Sequence, residues 1–154
     1  MKSERMAGRT RPVNEAALAR LRAIQAGDEP TPPAWAQANV RLVAFETGHV
    51  HLEVRADARH LNAFGGVHGG FVAAALDTAL GLAIFTSLGD DGRHTTVDLA
   101  VKIVKRLPVD TDLAVESSLV HVSRSVGVSQ AWLRDAGGTV YAHGTTTCHI
   151  KRHA

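Results

Sequence analysis

The chain has 154 residues, 45% of them hydrophobic and 21% charged, which suits one folded domain with its own core and excludes a disordered or fibrous chain. The formal net charge is only +2, and part of the excess sits in the first dozen residues, where Lys2, Arg5, Arg9 and Arg11 outnumber Glu4. No basic stripe continues beyond that arm, so nucleic acid is not an expected partner.

The lone Cys148 rules out an internal disulfide and fits a reducing compartment. Nine histidines are scattered without metal-ligand spacing, so no metal is expected. Residues 1–25 hold no apolar signal segment, and no stretch approaches the roughly 20 apolar residues of a membrane span. The expectation is a soluble cytoplasmic protein with no membrane partner.

In chain order, residues 14–26 carry Leu18, Leu21 and Ile24 near helical spacing, with Asn14 as N-cap and Gly27 as stop. Residues 28–33 (DEPTPP) cannot continue a helix, because three prolines remove donors and impose extended backbone. Residues 1–34 therefore read as an arm, a short helix and a Pro-rich linker ahead of a single domain at 35–151. Residues 39–46 and 49–56 alternate as strands around a Thr47-Gly48 turn.

Residues 70–88 are apolar on nearly every face, from Phe71 and Val72 to Ile84 and Phe85, which predicts a helix buried all round. Asp77 near its middle argues against a membrane span. Residues 95–106 follow as a strand with Val97, Leu99, Val101 and Ile103 on one face and Thr96, Asp98 and Lys102 on the other. Strands at 112–122, 126–135 and 139–150 close the chain as a meander, with Asp135-Ala136-Gly137-Gly138 as the last turn. One central helix with five or six antiparallel strands implies an α+β fold, a sheet curled around the helix.

A carboxylate inside an apolar helix is costly, by several kcal/mol or more when unpaired, so Asp77 needs a reason to be there. It either bonds a neighbouring donor, Thr78, Thr95 or Thr96 being candidates, or serves chemistry. Just upstream, Asn62-Ala-Phe-Gly-Gly66-Val-His68-Gly69-Gly70 runs straight into the helix N-terminus. Its unsatisfied N–H groups and partial positive charge suit a developing oxyanion, and paired glycines let a substrate approach them. The same glycines could instead serve close packing, with His68 and Asn62 as loop and cap residues. His68 and Asp77 are separated by about 13 Å of helical rise. They cannot easily converge on one reacting group within a chain, so we expect a homo-oligomer in which His68 and Gly69 of one subunit face Asp77 of another.

At these residues the sequence resembles the hotdog-fold acyl-CoA thioesterase superfamily, specifically its phenylacetic-acid-pathway branch. Asn62, Gly66, His68-Gly69-Gly70 and Asp77 stand with that family's spacing, and the likeness in strand order runs from about residue 38 to 150. The resemblance implies a curved antiparallel sheet around the helix, and a dimer or tetramer hydrolysing acyl-CoA with no cofactor beyond the coenzyme A of the substrate. It also implies that the Gly69 N–H polarises the thioester carbonyl, assisted by His68 and Asn62. Asp77 would act as general base or nucleophile, and Thr96 would orient the water. Relatives carry Gly followed by Arg or Lys after the long fourth strand, whereas this chain has Ser123-Arg124-Ser125. Arg124, Lys102, Lys105 and Arg106 are therefore open candidates for the nucleotide phosphates, and Gly70 and Phe71, with Phe64, for the acyl side. A hotdog dehydratase and a non-catalytic acyl-CoA-binding module are the alternatives.

Overall fold

The computed structural model describes residues 14–90 and 92–152. The basic arm singled out in the sequence lies outside them. Helix α1, Glu15–Ala26, begins where the Asn14 side chain accepts the Ala17 N–H and ends at Gly27, which takes the left-handed conformation (φ 85°). Asn14 also donates its amide to the Phe85 carbonyl at 3.2 Å, and Leu18 and Leu21 are buried. This leading helix is thus packed onto the fold.

Pro33 departs from the expected linker. It opens a short helix α2, Pro33–Gln37, at the position where a missing N–H costs nothing. Strands β1, Val40–Glu46, and β2, His49–Arg55, pair antiparallel about the predicted turn, with Gly48 at φ 79°. A 3-10 turn, Ala58–His60, precedes helix α3, Gly69–Phe85. The remaining strands are β3 Gly92–Ile103, β4 Asp112–Val122, β5 Val126–Arg134 and β6 Val140–Arg152.

All six strands form one sheet in the order β1-β2-β4-β5-β6-β3. The β4-β5-β6 meander is as read from the sequence. β3 does not pair with its successor β4; it crosses to the far edge and pairs with β6, which leaves its other edge unpaired.

Helix α3 lies across one face of this sheet, against β2 to β6. Leu76, Leu80 and Ile84 are fully buried, and Leu52, Val115 and Leu133 of the sheet are equally enclosed. Each such leucine contributes about 1.5–3 kcal/mol by burial. Two buried serines tie helix to sheet: Ser117 donates to the Ala79 carbonyl at 2.8 Å and Ser129 to that of Leu80 at 2.9 Å. Gly127 is needed for the close approach, since a Cβ there would stand 2.8 Å from the Ile84 side chain.

Two expectations are corrected. The helix spans 69–85, not 70–88, and it is not buried all round: Gly69, Gly70 and Ala74 are exposed, and Ala73, Asp77 and Thr78 are half-buried. One side of α3 stays uncovered in the single chain. The second correction concerns β3, whose register against β6 slips between Thr96 and Asp98. Val97 is the extra residue of that β-bulge and is 64% exposed. The bulge reverses the alternation, so Thr96, paired with Cys148, and Leu99, paired with the buried Thr146, share the helix-facing side that the sequence pattern assigned to opposite faces.

Candidate active site at the uncovered side of the central helix

The polar loop is built by Asn62. Its Oδ1 accepts the N–H groups of Phe64 (2.9 Å) and Gly66 (3.1 Å), and Gly65 takes φ 76° to close the turn. Arg106 braces the same loop by donating to the Gly65 carbonyl at 3.1 Å. The loop delivers His68 to the N-cap of α3, where Nδ1 accepts the Gly70 N–H at 2.8 Å. That bond fixes the tautomer, with the proton on Nε2. Glycine at position 70 lets His68 sit this close, because a Cβ there would lie 2.8 Å from His68 Nδ1 and push the ring aside. Gly69, the first residue of the helix, has an N–H with no intrahelical acceptor.

Two hollows flank this helix end. One, of about 260 Å³, is lined by Asn62, Phe64, Gly66, Ile103 and Arg106 among others. The second, of about 420 Å³, is lined by His60, His68, Phe71 and Ala74 among others. Phe64 is 94% exposed, whereas Phe71 is buried with its ring 4.5 Å from that of His60.

Asp77 lies on the uncovered side of α3, half-buried. Of the three threonines considered as partners, Thr96 makes the bond, donating from Oγ1 to Asp77 Oδ1 at 3.2 Å; Thr78 donates to the Ala74 carbonyl instead. The Cys148 sulfur stands 3.8 Å from the same Thr96 oxygen. With the threonine proton committed to Asp77, the thiol is the donor of that contact. Burial pushes the Cys148 thiol up from its ordinary pKa, so it stays neutral and makes a poor nucleophile.

His94 completes the group, and the sequence reading passed over it. It lies two residues before Thr96 on β3 and is pressed against α3 where Gly81 leaves room. A Cβ at Gly81 would come 3.1 Å from His94 Nε2. Desolvation lowers its pKa, and the Asp77 charge opposes that shift. The available signal was the pair of glycine four residues after Asp77 and histidine two before Thr96.

The basic residues scatter. Arg106 reaches the loop; Lys105 sits over the Tyr141 ring at 5.5 Å. Lys102 is exposed and pairs in register with His143, a half-buried residue whose ring lies tilted against that of Trp132. Arg124 occupies the β4–β5 turn, two residues before Val126, whose partner His149 pairs in turn with Thr95. Gly69, by contrast, abuts Ile103, so roughly 25 Å of strand separates Arg124 from the loop in one chain. Among the described residues no group of three or more His, Cys, Asp or Glu is arranged to hold a metal ion, and no helix is long and apolar enough to cross a membrane.

Comparison with known proteins agrees with this architecture. The thioesterase superfamily model matches residues 64–142. Human acyl-coenzyme A thioesterase 13 is 25% identical over 113 residues, 72% of this chain and 79% of that protein. A protein of Halobacterium salinarum named as an esterase is 38% identical over 68 residues, 43% of this chain; the match spans only 44% of that relative's length. Among solved structures, a phenylacetic acid degradation-related protein from Ralstonia eutropha superposes with a TM-score of 0.75 at 22% identity, covering 83% of this chain and 97% of the other. A match over half the chain, from the polar loop through the central helix and strands β3 to β5, decides the family: this chain belongs to the thioesterase superfamily and has its hotdog fold.

Proposed function

We propose that the chain hydrolyses acyl-CoA thioesters to the free acid and coenzyme A. The observation that carries this reading is the Asp77 carboxylate held by Thr96 on the uncovered side of a helix whose N-terminus offers the free Gly69 N–H. An N–H at a helix N-terminus is suited to a thioester oxygen as it gains charge. His68, with Nδ1 engaged by Gly70, keeps Nε2–H as a further donor. Asp77 either takes a proton from the attacking water or attacks the carbonyl carbon itself. In the first route the attacking water adds to the carbonyl carbon, the C–S bond breaks and coenzyme A leaves as thiolate. In the second the C–S bond breaks as a mixed anhydride of Asp77 and the acyl group forms, and water then cleaves that anhydride to the free acid and the Asp77 carboxylate.

The two halves are too far apart to meet in one chain, by the helical rise between residues 68 and 77. A homo-oligomer in which one protomer's loop faces its partner's Asp77 resolves that distance. Support comes from the uncovered side of α3 and from β3, an edge strand bearing exposed Val97, Ile103 and, just beyond it, Val104. Apolar edges of this kind require cover. Of the basic residues, Arg106, beside the loop, is the best placed for a phosphate of coenzyme A, and Asn62 contributes by holding the loop.

The test is thiol release from short-chain, medium-chain and aromatic acyl-CoAs by the wild type and Asp77→Asn. We expect turnover by the wild type and a loss of about 10²–10⁴-fold in the variant, with the oligomer intact by sedimentation. Binding of acyl-CoA without turnover by the wild type would overturn the reading in favour of a binding module.

A further inference from the structure

His94 is the residue this reading leaves without a task, and its surroundings are specific. Asp77 and Gly81 are one turn apart on α3, about 6 Å between the positions of their side-chain stems, and His94 Nε2 fills the space above Gly81. Thr96, two residues along the same strand, holds Asp77. The Phe85 ring, one turn beyond Gly81, lies 6.1 Å from the imidazole, and Asp77, one turn before Gly81, is near enough for its charge to act on His94. From β6, Ile150 pairs with His94 and Cys148 with Thr96.

Asp77 is the one titratable residue of α3, and the thiol of Cys148 stays neutral. The charge that acts on His94 is therefore that of Asp77. Burial favours the uncharged imidazole at neutral pH.

We propose that His94 is a positioning residue for Asp77. As the neutral imidazole it leaves the carboxylate free for the reaction, and as the imidazolium it draws the carboxylate into an ion pair and sets the acid limit of turnover. Gly81 is the notch that brings the two within range. The inference rests on the proposed role of Asp77 and assigns the control of that same site.

The experiment is kcat/KM against pH for the full-length oligomer, wild type beside His94→Gln, with Gly81→Ala as a second variant that crowds the imidazole and shifts it slightly while leaving every charge in place. Removing the imidazolium should move the acid limb of His94→Gln to lower pH by about one unit, a tenfold change in the proton activity at half-maximal rate. Gly81→Ala should move it in the same direction by a smaller amount. A merely structural role would lower kcat and leave the limb where it was, and that result overturns the proposal. If His94→Gln does not fold, an unmoved limb in Gly81→Ala overturns it equally. Asp77→Asn separates the two levels: turnover surviving in that variant sinks the underlying reading. Turnover that depends on Asp77, with the limb unmoved by either variant, sinks this inference alone.

Discussion

Gly70 shows how one missing carbon governs the site. Its N–H is held by His68 Nδ1, and the imidazole occupies the space where a Cβ would stand. Gly70→Ala should therefore cost about 1 kcal/mol, the usual worth of an N-cap, partly offset by the better helix propensity of alanine. Thiol release should fall by more than that stability loss explains, because the displaced ring no longer aims Nε2–H; a melting curve alongside a rate measurement checks both. At this scale the sequence was legible wherever one residue does one local job. Asn14 and Gly27 cap α1 as their side-chain chemistry requires, and Asp77 stood out because a carboxylate in an apolar helix is costly. His94 was not legible, since its significance depends on Gly81 and Asp77 being brought to it across the sheet, which no local pattern records. Phe71 read equally as an acyl-pocket residue or a core residue; it is buried beside His60 and also lines the hollow next to His68.

At the scale of elements, alternation located β3 but mistook its faces. A period-two pattern assumes an unbroken ladder, and the single extra residue at Val97 shifts every side chain beyond it by one face. Because of that shift, Thr96 reaches Asp77 while Leu99 still packs inward against α3. The central helix was likewise legible in type and position but not in environment. Its composition pointed to burial on every side, whereas Ala74 is exposed and Asp77 half-buried in the single chain; we propose that a second copy of the chain covers that side. Val97→Lys tests this directly. A charge on the exposed bulge of an unpaired edge strand should shift the sedimentation of the wild-type oligomer toward the monomer. It should leave the far-ultraviolet circular dichroism unchanged, since no core contact is lost. An unaltered oligomer would put the contact elsewhere.

For the whole molecule, the strand order carries the functional consequence. Crossing from β2 over α3 to the far edge puts β3 beside β6, so the strand that holds Asp77 is also an edge strand. A meander was readable from the turns, but the crossover was not, because sequence periodicity does not say which strands become neighbours. The same geometry keeps the Gly69 N–H and Asp77 of one chain apart, from which we propose that each site takes its loop from one protomer and its carboxylate from the partner. Mixing two inactive variants tests it. Gly69→Pro removes the N–H while proline suits the first helical position, and His68 already has the extended backbone that a following proline demands (φ −66°, ψ 134°). Asp77→Asn removes the other half. When the two are co-expressed so that protomers exchange, half of the dimers are mixed, and each mixed dimer holds one intact site of two. Thiol release should then return to about a quarter of the wild-type rate; a mixture no more active than its parents would mean that each site is built within a single chain.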